Sequence, residues 1–161
     1  GLYRLTDNFF RFWFAFVFPN LSELEAGDVE GIWRYAVEPE LDRYTSYAFE
    51  EVCRQYLRRE NAEDRLPFHF TKIGRWWNKT DEIDIMAVDQ KRESFLLGEC
   101  KYKNSPLDLS DLRELQRKFT PGRENSRVWH WLFSRSGFTA GVREAASAQD
   151  VRLVTVEELA E

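Results

Sequence analysis

Apolar positions recur with helical spacing through roughly the first 60 residues and alternate from residue 67 onward. Asp7 is placed to cap a helix running to about Val17, which the turn Phe18-Pro19-Asn20 stops. LSELEAGD (21–28) reads as a polar connection, and a second helix near Asp28–Val37 precedes Pro39. That proline suits the first turn of a third helix reaching about Arg59. Tyr44, Tyr47, Ala48, Val52, Gln55 and Tyr56 are the helically spaced set expected to face inward there. No internal repeat, low-complexity tract or linker stands out.

In the second half, FHFTKIGRWW (68–77), EIDIMAVD (82–89) and SFLLGECKY (94–102) read as three strands joined by brief turns, an antiparallel meander. SPLDLSDLRELQRKF (105–119) follows, with Leu109, Leu112, Leu115 and Phe119 as an apolar helical stripe and Ser105-Pro106 or Asp108 at its start. Next come a strand in RVWHWLFS, a short helix in GFTAGVREAASAQ, a strand in VRLVTV and a terminal helix in VEELAE. The order is a helical lead, then αβββαβαβ and a tail. It predicts an α/β fold with a mixed sheet flanked by helices.

One of these strands ends strangely. SFLL is strongly apolar, yet GECKYKN (98–104) closes it with Glu99 and Lys101, whose side chains share a strand face. Burying either charge alone is costly. Pairing across the hairpin can bring Asp84, inside EIDIMAV, beside Glu99. Two adjacent carboxylates repel unless a cation lies between them. A hard divalent ion such as Mg²⁺ or Mn²⁺, held by Asp84 and Glu99, resolves the conflict. Lys101 is then placed to orient or deprotonate a bound water and to neutralise phosphate charge.

Charge sharpens this picture. The 161 residues carry a net charge of −5, which argues against a nonspecific nucleic-acid coat. Residues 101–135, however, hold eight basic and four acidic side chains, directly after the odd strand end. Lys103, Arg113, Arg117 and Lys118 there, with Arg75 on the first strand, are the candidate nucleic-acid contacts. The apolar run FFRFWFAFVF (9–18) is too short to span a membrane and contains Arg11, so it reads as a core helix. Two cysteines, Cys53 and Cys100, form neither a disulfide framework nor a metal pair, which points to a reducing cytoplasm. The chain begins at Gly1 and its only methionine is Met86, as expected of a piece of a longer polypeptide.

Asp84, then Glu99-Cys100-Lys101 after an apolar hairpin, resembles the active site of the PD-(D/E)XK nuclease superfamily. That resemblance implies an αβββαβ restriction-endonuclease-like core spanning residues 45–161. A helical extension over residues 1–44 would pack on it, and a βα addition would close the chain. It also implies a carboxylate from the helix before the first strand, where YAFEEVCRQYL offers Glu50, with Glu51 as substitute. Catalysis would then rest on Lys101, Asp84, Glu99 and Glu50. YRLTDNFFRFWFAFVFPN, GRWWNKTDEIDIMAVD and LLGECKYKN further resemble the C-terminal domain of archaeal-type AAA+ ATPases, which implies DNA as substrate. No GxxxxGK[ST] is present, so an ATPase portion of the same polypeptide would lie outside this sequence. The Gln-x-x-x-Tyr helix signature of some nucleases of this fold is absent, since Thr120 follows Gln116.

The rival expectation is a DNA- or protein-binding module with little or no hydrolysis, which docks or targets the ATPase. Self-association through the aromatic first helix is a third. Trp76 and Trp77 are read as core residues before base-stacking platforms, and His130 as packed. Cys100 reads as a small core residue and Gln116 as a surface residue. Ser134, Arg135 and Ser136 read as a turn.

Overall fold

The computed structural model describes residues 7–160, so residues 1–6 of the expected helical extension and Glu161 of the terminal helix lie outside the described residues. The chain falls into two compact units, Gly1–Ala48 and Phe49–Glu161.

The first unit is built from interrupted helices. Asp7 caps α1 (Asn8–Phe12) by accepting the Phe10 amide at 3.1 Å, as the sequence predicts. The helix then widens into a π turn, Trp13–Val17, followed by a 3₁₀ turn, Phe18–Asn20. The turn at Pro19 does not end the helical path: α2 (Leu21–Glu25) follows at once, where a polar connection was expected. After Gly27, α3 (Val29–Ile32) starts on an Asp28 cap and runs through a second π turn, Trp33–Val37, into α4 (Glu38–Ala62).

The two π turns have one cause. A proline lacks the amide proton and crowds the carbonyl four residues back, so an ordinary α turn before it is strained. Here Phe18 and Glu38, each just before a proline, bond five residues back, to Trp13 O and Trp33 O. The sequence behind this recurs: Trp13, Val17, Pro19 and Leu21 are matched one for one by Trp33, Val37, Pro39 and Leu41. The helical lead therefore does contain an internal repeat. Its sparse spacing hides it from a search for contiguous similarity.

The second unit carries a five-stranded sheet of order β1-β2-β3-β4-β5. β1 (Lys72–Trp77), β2 (Glu82–Val88) and β3 (Ser94–Lys101) form the antiparallel meander. β4 (Arg127–Ser134) and β5 (Val151–Thr155) continue in parallel after α5 (Leu109–Lys118) and α6 (Ala140–Ala148), and α7 (Val156–Leu159) closes the described chain. The α/β class, the mixed sheet, the helical lead and the C-terminal βα elements all agree with the sequence reading.

Two buried clusters cover the two faces of the sheet. Phe49, Cys53, Tyr56 and Leu57 of α4 pack with Ile85, Ala87, Leu96, Cys100 and Phe133 on one side. Leu112 and Leu115 of α5 and Val142 of α6 pack with Ile83, Leu97 and Leu132 on the other. The inward face of α4 is thus one step out of phase with the predicted set. Val52 and Tyr47 are each 43% exposed, while Glu50 and Glu60 are buried. Arginine partners make the buried carboxylates tolerable, and hydropathy alone cannot see such partners. Trp76 meets Phe119 edge-on at 5.6 Å, as a core tryptophan should, but Trp77 is exposed.

Candidate active site

The odd end of β3 is explained by what happens to β2 beside it. In the β1–β2 register, Gly74 faces Met86 but Trp76 faces Ile83, so Arg75 is opposed by both Asp84 and Ile85. This bulge breaks the alternation of EIDIMAV: Ile83 joins one core cluster, and Ile85 with Ala87 joins the other. The β2–β3 pairing in turn stops at Ile85–Gly98. Past that point the Cys100 amide donates to Asp84 Oδ2 at 2.8 Å, so a side chain takes a place the backbone ladder would have filled. Gly98 allows the close approach that precedes the separation, since a Cβ there would lie 3.0 Å from Ile85 Cβ.

Into this opening three carboxylates converge from separate elements. Asp84 comes from the bulge, Glu99 from the end of β3 and Glu50 from α4, and the last two are buried. Burial and the nearby charge of Glu99 push the Asp84 carboxyl up to about 6, with Glu50 adding to the rise and the Cys100 amide opposing it. Glu99 is thus near enough to Asp84 to resist its ionisation.

Four cations answer it. Glu50 bonds the Arg75 guanidinium and lies 3.6 Å from Arg54. Arg75 reaches on to Glu82 at 2.8 Å. Glu99 Oε1 is 2.5 Å from Lys101 Nζ, and Glu99 Oε2 is 3.1 Å from Lys118 Nζ. Burial alone would lower the Lys101 pKa, but the charge and hydrogen bond of Glu99 outweigh it and hold the ammonium above its usual range. Arg54 also contacts the Asp84 carbonyl at 3.5 Å.

Of the predicted nucleic-acid contacts, Arg75 and Lys118 thus belong to the carboxylate cluster. Arg113 is exposed, Arg117 reaches Asp81 at 2.9 Å, and Lys103 lies 3.8 Å from Asp111. Glu51, the substitute for Glu50, pairs with Arg54 and Arg58. Gln116 turns to Gln149 at 2.9 Å, and Cys100 is buried beside α4, as expected. Burial lowers the His130 pKa, in keeping with a packed residue. Arg54 is the site residue that sequence reasoning missed. Its one signal is the i,i+4 spacing from Glu50, which is common on helices.

Hard oxygen donors suit a divalent cation, and burial together with the charge of Glu99 resists the ionisation of Asp84. Glu50 Oε2 serves two guanidiniums, Arg75 and Arg54. Among the described residues no set of three or more His, Cys, Asp or Glu side chains is arranged to hold a metal. Asp84 and Glu99 are the two carboxylates that would have to serve as donors, with water filling the remaining positions. Among the described residues no helix is long and apolar enough to cross a membrane.

Residues 13–117 match a family, DUF234, described as archaeal and bacterial proteins of unknown function. An uncharacterized protein of Methanocaldococcus jannaschii is 38% identical over 126 residues, which cover 73% of this chain and 27% of that protein. The chain therefore spans about a quarter of that relative's length. Among solved structures, a repair endonuclease from Pyrococcus abyssi aligns over 52% of this chain and 38% of its own, at 16% identity and a TM-score of 0.39. A protein of unknown function aligns over 69% and 64%, at 15% identity and a TM-score of 0.45. Both overlaps are partial and loose.

Proposed function

Because the chain belongs to that archaeal and bacterial family, whose function is not known, we propose an activity from its own site: metal-dependent hydrolysis of DNA phosphodiester bonds by a nuclease-like domain. The observation that carries the proposal is the pair Asp84 and Glu99, placed at the opened end of β2 and β3 with lysines on Glu99. A second carboxylate whose ionisation is resisted supports a site for a divalent cation and a phosphate.

Asp84 and Glu99 would hold Mg²⁺ or Mn²⁺, which when bound supplies Lewis-acid polarisation of the phosphoryl group and a more acidic water. Lys101 would orient the Glu99 carboxylate or help deprotonate a bound water, and would stabilise phosphate charge. Glu50 supports the site by fixing Arg75. Lys103, Arg113 and Arg117 would contact the DNA backbone. The ion pairs of Lys103 and Arg117, whose basic side chains reach solvent, would open for phosphate. We place the domain beside an AAA+ ATPase portion of the same polypeptide, from the resemblance of its aromatic lead and strand motifs.

The test is cleavage of plasmid and single-stranded DNA with Mn²⁺. Wild type should cut at least about a hundredfold faster than Glu99→Gln or Lys101→Ala. Equal rates for all three would refute hydrolysis at this site. A second reading, a binding module without hydrolysis, is favoured by the exposed Phe9, Phe10, Phe14, Phe18, Trp33 and Tyr35 of the first unit. Gel-shift binding that persists in Glu99→Gln, with no cleavage by wild type, would select it.

A further inference from the structure

The two cysteines stand far apart in the sequence, yet the fold brings them together. Cys53 enters the cluster on one face of the sheet from α4, and Cys100 enters the same cluster from β3. Both are free thiols and both are buried, Cys53 completely. The Cys53 thiol is a hydrogen-bonding neighbour of the Cys100 thiol. Sulfurs that already meet satisfy the first geometric demand of a disulfide, which separated or divergent cysteines cannot.

Their place in the fold gives such a bond a consequence. Cys53 stands about one helical turn beyond Glu50, and the Cys100 amide donates to Asp84 Oδ2 at 2.8 Å. α4 and β3 carry the buried carboxylates Glu50 and Glu99. A Cys53–Cys100 bond would join these elements covalently beside them.

We propose that Cys53 and Cys100 form a redox-closable tether between α4 and β3, open as two thiols and closed as an intramolecular disulfide by a low-molecular-weight disulfide. The tether stands apart from the nuclease reading and needs no metal. Closure takes two exchanges. The thiolate of Cys100, the less deeply buried of the two, attacks one sulfur of the small disulfide and expels its other half. The Cys53 thiolate then attacks the Cys100 sulfur and expels the second half. Two protein thiols give up two electrons and two protons, and the small disulfide takes them and leaves as two thiols. Burial, with the Cys53 thiol beside it, holds the Cys100 pKa well above the usual thiol range, so the first exchange is slow and waits on local opening. The second is fast, because its partner is already in contact.

Incubating the whole chain with oxidised glutathione, then denaturing and alkylating it, tests the tether. Wild type should lose about 2 Da, the mass of two hydrogens, and take up no alkylating reagent. Its melting temperature should rise by about 10 °C, because the bond restricts the loop between 53 and 100 in the unfolded chain. Dithiothreitol should reverse the rise, and Cys53→Ala should show neither the mass loss nor the rise. Wild type that ends with glutathione attached, or as a disulfide-linked dimer, would overturn the proposal. So would two thiols still free under conditions that oxidise the urea-unfolded chain. The wild-type masses decide the matter whether or not Cys53→Ala folds.

Discussion

The two sides of the carboxylate cluster are neutralised by different chemistry. On the α4 side, Glu50 is gripped by Arg75 and Arg54, and Arg75 also ties in Glu82. On the α5 side, Glu99 is covered by Lys101 and Lys118. A guanidinium is a flat, permanently charged fork that fixes geometry. An ammonium on a flexible stem is a point charge that can change partners. The arginine side acts as a lock that joins α4 to β1 and β2. The lysine side holds Glu99 with two point charges, one on each oxygen.

The sharpest way to break this contrast is to remove the lock. Arg75→Ala leaves buried Glu50 with Arg54 at 3.6 Å and should cost about 3 kcal/mol or more in urea unfolding. A loss below about 1 kcal/mol would mean that the two sides do not differ in kind.

Asp84, between them, should behave in the opposite sense. Its carboxyl is held near 6, above its usual 3.8, so the folded state favours the protonated form. The stability this group contributes is present below about pH 4 and is lost as pH rises through about 6. Above that the ionised group costs about 3 kcal/mol. Asp84→Asn should therefore raise stability at pH 7 to 8 by up to about that amount, with the gain fading towards pH 4. A gain that did not depend on pH would show that charge is not its source.

The smallest effect belongs to Lys118. Lys118→Gln leaves Glu99 with Lys101 at 2.5 Å, closer than Arg54 stands to Glu50, and should cost about 2 kcal/mol by the same unfolding measurement. A loss matching that of Arg75→Ala would make Lys118 a second lock.

Much of the sheet was legible because local patterns suffice for it. Each of the five strands was read in order, and α5 starts at Asp108, one of the two expected caps. Asp84, Glu99 and Lys101 stood out because charges interrupt apolar strands, a conflict visible without coordinates. The inward face of α4 was misjudged at Glu60, which goes inside because Arg65 from beyond the helix end makes it tolerable, whereas Glu50, put forward as a site carboxylate, is buried against Arg75 of another element. The helix at Leu21–Glu25 was missed because Pro19 reads as a stop, whereas the π turn before it lets the chain continue.

By itself, then, the sequence determined the order of elements, the mixed α/β class and the charge conflict at the end of β3. Alternation, helical spacing and turn residues act over a few positions, and all three features are local. Tertiary structure decided which charges answer which. The bulge that turns Asp84 toward the Cys100 amide needs β1 alongside β2, and the Lys118 contact needs α5 folded back over β3. Lysine pairs with whichever carboxylate packing brings within reach, and no sequence spacing encodes that distance.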